Sequence, residues 1–193
     1  MRTVSMVLAV AALALVGTGV LAQCPPVVSE QPPVVAYPYS LPAAIGAGPA
    51  PELANITGPE FDRAYITRMY QLHTTVSALA TQGIEQTTDK NLKDLSGKIR
   101  YEKTKQNEVL AAQYRDLGLG RIPVDYSRVQ AILDTLVNYT GTDFDVQYAR
   151  TMTALLMQTR DAAELGVSRL STARLRDQAE IEAKAATNEI NAL

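Results

Sequence analysis

Asn55-Ile-Thr57-Gly58-Pro-Glu60-Phe61-Asp62-Arg-Ala-Tyr65-Ile-Thr-Arg-Met69 returns 83 residues later as Asn138-Tyr-Thr140-Gly141-Thr-Asp143-Phe144-Asp145-Val-Gln-Tyr148-Ala-Arg-Thr-Met152. The register continues without a gap to the last residue, through Leu72 and Leu155, Gly83 and Gly166, Leu92 and Leu175, Asp94 and Asp177, Thr104 and Thr187, and Leu110 and Leu193. Fourteen of the 56 paired positions are identical. A fixed internal period is the first thing to read, because it makes one unit of structure explain two. The natural explanation is a tandem duplication, with one copy at residues 55–110, a connector at 111–137 and the second copy at 138–193.

Each copy reads as a helical hairpin. Phe61, Tyr65, Met69, Leu72, Val76, Leu79 and Gly83 fall at spacings of four and three, as do Phe144, Tyr148, Met152, Leu155, Thr159, Ala162 and Gly166. That is the buried seam of a helix in a bundle. Thr57 and Thr140 stand where N-caps belong, Thr57 with Glu60 at capping-box spacing, and Asp62 and Asp145 fall in the first turn near the positive end of the helix dipole. The repeated Asn-x-Thr at Asn55 and Asn138 matches the glycosylation pattern but is explained by helix-start chemistry. Thr88 and Ser171 are equivalent and suit the N-caps of second helices, over about residues 89–115 and 172–191. Leu92, Leu95, Ile99 and Leu110 form the apolar stripe of one; Leu175, Ala179, Ala186, Ile190 and Leu193 form that of the other. Gly118, Gly120 and Pro123 stop the first hairpin, and Val129, Ile132, Leu133 and Leu136 predict a short amphipathic helix over about 125–137. The expected fold is all-α, a four-helix bundle of two tandem hairpins with a long crossover carrying a short helix.

Before the repeat the composition changes. Residues 1–22 read as a secretory signal: Arg2 is the positive start, Val7 to Val16 the apolar run, and Val20-Leu21-Ala22 the cleavage site. Ten apolar residues are short for a membrane span, so no span is expected in the mature chain, with an uncleaved anchor as the alternative. Residues 23–54 carry eight of the ten prolines and read as a disordered, largely extended spacer. The one cysteine, Cys24, excludes an intramolecular disulfide framework. It also allows lipid anchoring as an alternative to free release, although Gln23 before it departs from the lipoprotein pattern. The expected location is periplasmic or extracellular.

The chemistry on offer is thin. The formal charge is -2, with signs interspersed, and no basic stripe marks a nucleic-acid binder. His73 is the only histidine, so triads built on histidine have little to stand on. Two-metal bundles need Glu-x-x-His on two helices, and none occurs. A lopsided metal site from His73 with Met69 and Glu102, or with Glu108, is the alternative to a histidine hydrogen-bonded across the bundle. Met69, Met152 and Met157 read as core filling. Tyr65 and Tyr148 should bury their rings and bond their hydroxyls across the bundle. Arg174, Arg176, Glu180, Glu182 and Lys184 read as a solvated charged face. No cofactor is expected.

Phe-Asp-x-x-Tyr-x-x-x-Met, with His73 four residues beyond Met69, resembles exported bacterial ferritin-like domains of unknown function, over about residues 58–193. Thr104-Lys105-x-Asn107-x-x-Leu110 is similar to their second helix. The resemblance implies a ferritin-like bundle behind a signal segment and no settled activity. The sequence departs from the family pattern where Lys103 replaces a usual histidine and where Leu156 stands at the second-copy counterpart of His73. Together these readings predict a non-enzymatic envelope module that binds an envelope protein or self-associates, with metal handling through His73 as the alternative.

Overall fold

The computed structural model describes residues 53–193; the segment 1–22 expected to be a signal, Cys24 and the proline-rich residues up to 52 lie outside the described residues. Among the described residues there are five helices and no strand: α1 (Gly58–Gln86), α2 (Lys90–Asp116), α3 (Tyr126–Asp134), α4 (Gly141–Arg169) and α5 (Ala173–Ala192). The all-helical fold expected from the repeat is present. Helices α1 and α2 pack as one hairpin, α4 and α5 as the other, and the hairpins meet mainly through α1 against α4. No helix among the described residues is long and apolar enough to cross a membrane.

Both predicted long-helix seams are buried from end to end. They feed two apolar clusters. One gathers around the stacked Phe61 and Tyr65, the other around the stacked Phe144 and Tyr148. Each fully buried Phe or Leu contributes roughly 1.5–3 kcal/mol, so these seams are the main favourable term for the pairing.

The hairpins are held together by contacts that occur twice. Asp62 near the start of α1 accepts from the Ser171 amide at 3.0 Å and from its hydroxyl, in the α4–α5 turn. Asp145 near the start of α4 accepts from the Thr88 amide at 3.1 Å, from the Thr88 hydroxyl at 2.6 Å and from the Thr87 hydroxyl, in the α1–α2 turn. Partial burial pushes the Asp145 carboxyl up, but these donors outweigh it and hold the group below the usual carboxylate range. The second doubled contact is steric. The Tyr65 ring lies over Gly166, where a Cβ would come within 2.8 Å of Cζ, and the Tyr148 ring lies over Gly83, where a Cβ would come within 2.7 Å of Ser96 Oγ. Both glycines are needed for close approach of ring to backbone.

The helix starts differ from expectation. Thr57 and Thr140 occupy the N-cap positions, but neither side chain makes a capping bond, so the predicted capping box is absent. Each first turn is instead entered through a left-handed glycine, Gly58 at φ 63° and Gly141 at φ 57°. Thr88 and Ser171 do not cap the second helices either. Their hydroxyls and amides are taken by Asp145 and Asp62, and the cap falls one residue later. Asp89 accepts from the Asn91 and Leu92 amides at 2.7 and 3.0 Å, and Thr172 accepts from the Leu175 amide at 3.3 Å. Asp62 and Asp145 thus act across the hairpin interface as well as near their own helix ends.

Two further ties close the frame. Gln71 of α1 grips the Asp125 backbone, accepting from its amide at 2.7 Å and donating to its carbonyl at 3.1 Å, while Asp125 caps α3 through the Ser127 and Arg128 amides. Arg169 at the end of α4 donates to the carbonyls of Leu53, Ala54 and Ile56, and its guanidinium sits 4.7 Å above the Phe61 ring. Leu53, which composition groups with the spacer, is fully buried in the core.

Candidate functional site

Helices α2 and α5 would complete the bundle with apolar stripes like those of α1 and α4, but their stripes are interrupted. On α5 the positions Leu175, Ala179, 182, Ala186, 189 and Leu193 alternate by four and three, and 182 and 189 are glutamates. Both are buried. Across from them lie His73 of α1 and Lys103 of α2, each with no solvent exposure. His73 Nε2 stands 3.1 Å from Glu182 Oε2, and Lys103 Nζ stands 2.9 Å from Glu189 Oε2. Gln178 Nε2, one turn before Glu182, donates to the other Glu182 oxygen at 3.0 Å. Tyr65 lies close enough for the Glu182 charge to act on its hydroxyl.

The electrostatics follow from burial. Desolvation pushes the Glu182 carboxyl up, yet the charge and contact of His73, the charge of Lys103 and the Gln178 bond together hold it below the usual value. Glu189 goes the other way. Burial pushes it up to about 7, against the pull of Lys103, and the neighbouring Glu102 adds to the rise. Tyr65 is raised strongly by burial and by Glu182, while Tyr148 is pushed up to about 12 by burial, against its bond to Ser96.

These ion pairs touch without aligning. Neither nitrogen of His73, nor Lys103 Nζ, nor Glu182 Oε2, nor either oxygen of Glu189 has a hydrogen-bond partner of proper geometry, although the pairs lie within contact distance. The distance is the firmer guide to attraction, since Coulomb energy tolerates angles that a hydrogen bond does not. Tyr65 Oη also lacks a hydrogen-bond partner. Its equivalent, Tyr148 Oη, bonds Ser96 Oγ at 2.6 Å; the residue equivalent to Ser96 beside Tyr65 is Ala179. The expectation of a cross-bundle hydroxyl bond is therefore met at Tyr148 alone.

The sequence-predicted metal candidates are dispersed. His73 is buried and pairs with Glu182; Met69 is buried one turn before it in the apolar seam; Glu102 is exposed on α2, beside Glu189 and not beside His73. Glu108 is exposed and pairs with Lys105. Among the described residues no group of three or more His, Cys, Asp or Glu is placed to hold a metal ion. The fit to a cation is poor for a second reason: Lys103 brings its own positive charge into the cluster. Of the methionines expected in the core, Met69 and Met152 are buried, whereas Met157 is exposed.

Glu182, read from sequence as part of a solvated face, is the clearest miss, and Lys103 and Glu189 were not singled out as partners. The repeat itself held the signal. Glu182 is the equivalent of Ile99, Lys103 of Ala186 and His73 of Leu156, and each apolar counterpart is buried. A polar residue whose repeat mate is a core residue marks a buried polar position.

Two openings lie near or away from the cluster. A cleft of about 470 Å³ between α2 and α5 is lined by Leu95, Ile99, Glu102, Ile181 and Glu189, and touches the cluster at its outer acid. A groove of about 770 Å³ lies elsewhere, between α1 and the crossover, with Leu53, Ile56, Arg63, Tyr114 and Pro123 on its walls. His73, Lys103 and Glu182 line neither. The cluster can hold charge and fix helix positions, and of its members Glu189 reaches a cleft.

Among solved structures the chain is similar to the crystal structure of a DUF305 fragment from Deinococcus radiodurans, with a TM-score of 0.61 and 15% identity over 70% of this chain and 93% of that one. At that identity the likeness concerns the fold, a helical domain of unknown function. No family model matches the chain, and no curated protein matches it significantly.

Proposed function

We propose that this chain is an exported, ferritin-like four-helix bundle, duplicated from one hairpin and carried on a proline-rich spacer, that serves the cell envelope as a non-catalytic binding or structural module. The observation that carries this reading is the sealing of the ionisable cluster. His73, Lys103 and Glu182 have no exposed surface, and their charges are answered inside the bundle. Catalytic groups work by meeting a substrate in a cavity; these meet each other. The signal-like residues 1–22 and the prolines of 23–54 support export and a tether, with the periplasm or the exterior as destination and lipid anchoring at Cys24 as the variant of that scheme.

The second reading is metal handling through His73. It is favoured by the buried, unaligned polar atoms of His73, Glu182 and Tyr65, since such groups call for an explanation. The Lys103 ammonium and the dispersal of Met69 and Glu102 weigh against it. Elemental analysis separates the two. The full chain is produced with export, purified without chelators or affinity metals, and compared with His73→Ala. The scaffold reading expects no stoichiometric metal in either protein. One metal per chain in the parent and none in His73→Ala would overturn it. N-terminal sequencing of the exported product, expected to begin at Gln23, tests the leader separately.

A further inference from the structure

The framework that joins the hairpins is the same from both sides. Each hairpin supplies one clasping aspartate and one receiving turn, one tyrosine ring and one glycine: Asp62 to Ser171 and Asp145 to Thr88, Tyr65 on Gly166 and Tyr148 on Gly83. These doubled contacts are of a kind that two copies of one hairpin could also make with each other. Two first hairpins from different chains would set Asp62 on Thr88 and Tyr65 on Gly83, and Ser96 would receive the Tyr65 hydroxyl that has no hydrogen-bond partner among the described residues. Geometry alone therefore does not reject association of like hairpins.

We propose that His73 and Lys103 on the first hairpin, and Glu182 and Glu189 on the second, make this a sign-coded interface that accepts only the unlike hairpin, from the same chain or from a second copy of it. Apart from the tyrosines, from the clasping Asp62 and from Arg68, whose guanidinium donates to Gln158, the buried ionisable side chains of the first hairpin are the basic types His73 and Lys103, and those of the second are the acids Glu182 and Glu189. In the observed pairing each of the two basic side chains meets an acidic one, at 3.1 and 2.9 Å. In a pairing of first hairpins, His73 would face Ile99 and Lys103 would face Gln106. In a pairing of second hairpins, Glu182 would face Leu156 and Glu189 would face Ala186. Each arrangement buries ionisable groups with no opposite charge facing them, and does so twice because the contact is reciprocal. Burying an uncompensated charge is far more costly than the paired arrangement is favourable, so the pairs act chiefly by rejecting the wrong partner. The second copy enters by exchange: a first hairpin can pair with the second hairpin of another chain through the crossover of residues 117–140, as in domain swapping.

Lys103 and Glu189 give the cleaner test, because their charges can be exchanged without changing the atoms at the contact. Lys103→Glu, Glu189→Lys and the double variant are prepared in the full chain and refolded singly and as an equimolar mixture of the two single variants. Light scattering reads mass and circular dichroism reads the thermal midpoint. Each single variant places like charges together and is expected to lose about 10 °C or more. The double variant recovers at least half of the loss as a monomer. The mixture yields a species of twice the chain mass and higher midpoint than either component. In that species the new glutamate of one chain meets the new lysine of the other, and native Lys103 meets native Glu189 in the second contact. A double variant no more stable than the singles, or a mixture that behaves as the sum of its parts, overturns the proposal. If the reversed pair does not fold in one chain, Lys103→Met and Glu189→Met take its place: the code requires the double to be no less stable than the worse single, and additive losses overturn it.

Discussion

The two hairpins share a seam, a clasp and a tyrosine–glycine contact, yet one interior contact is polar where its counterpart is apolar. His73 and Glu182 meet at 3.1 Å; their repeat equivalents, Leu156 and Ile99, belong to one apolar cluster. Both solutions are buried and both are compatible with the same backbone. The difference teaches that the fold tolerates either chemistry at these positions. A buried ion pair is weak evidence for stability, since desolvation cancels most of the attraction. What it supplies is discrimination between partners that are otherwise alike.

The largest expected effect breaks the comparison outright. His73→Leu leaves the Glu182 carboxylate without the basic side chain it touches and should cost about 3–5 kcal/mol in urea unfolding. Adding Glu182→Ile copies the apolar pair of the other half and should return stability to the parent value or above it. A double variant as weak as the single would show that the two halves are not interchangeable. Next come the glycines. Gly166→Ala and Gly83→Ala push a Cβ into Tyr65 and into Tyr148 with Ser96, and each should cost about 2–3 kcal/mol, with losses of similar size marking equivalent contacts.

A smaller effect is set by pH. Glu189 binds its proton more tightly in the folded chain, at about 7, than at its ordinary value of 4.5. Its contribution to stability is therefore full below about 4.5 and is lost as the pH rises through about 7. Glu182, held below its ordinary value, contributes in the opposite sense and loses its contribution as the pH falls through its lowered folded value. Urea midpoints of the parent should fall between pH 5 and 8 by the equivalent of about 1–2 kcal/mol, and Glu189→Gln should flatten that slope. An unchanged slope would show that another group governs the window. The smallest effect concerns the hydroxyls. Tyr148→Phe removes the bond to Ser96 and should cost about 1 kcal/mol, whereas Tyr65→Phe removes a buried oxygen without a partner and should be neutral or slightly stabilising. Equal losses at the two tyrosines would erase the asymmetry claimed for them.

Most of the fold was legible because a pattern that recurs 83 residues later states each rule twice. The α1 and α4 seams, the hairpin count, the stop at Gly118 and the presence of a crossover helix all follow from local periodicity and backbone preference, which sequence encodes directly. Helix α3 came out shorter than its apolar spacing suggests, ending at Asp134, although Leu136 beyond it is still buried. The candidate site was legible only at His73. Lys103, Glu182 and Glu189 are charged residues in helices rich in exposed charge, and nothing within a single helix distinguishes an inward acid from an outward one except its place in a weak stripe.

The sequence by itself determined that this is a pair of helical hairpins, with apolar faces at Phe61 to Gly83 and Phe144 to Gly166 that must be buried against each other. It also limited the chemistry to one histidine. Tertiary structure alone decided that Asp62 and Asp145 reach across to the opposite turn, that Gly83 and Gly166 receive tyrosine rings, and that His73 and Lys103 meet Glu182 and Glu189. The reason is physical: periodicity and helix boundaries are properties of neighbours a few residues apart, whereas the partner of a buried charge depends on which helix lies opposite, and only packing fixes that.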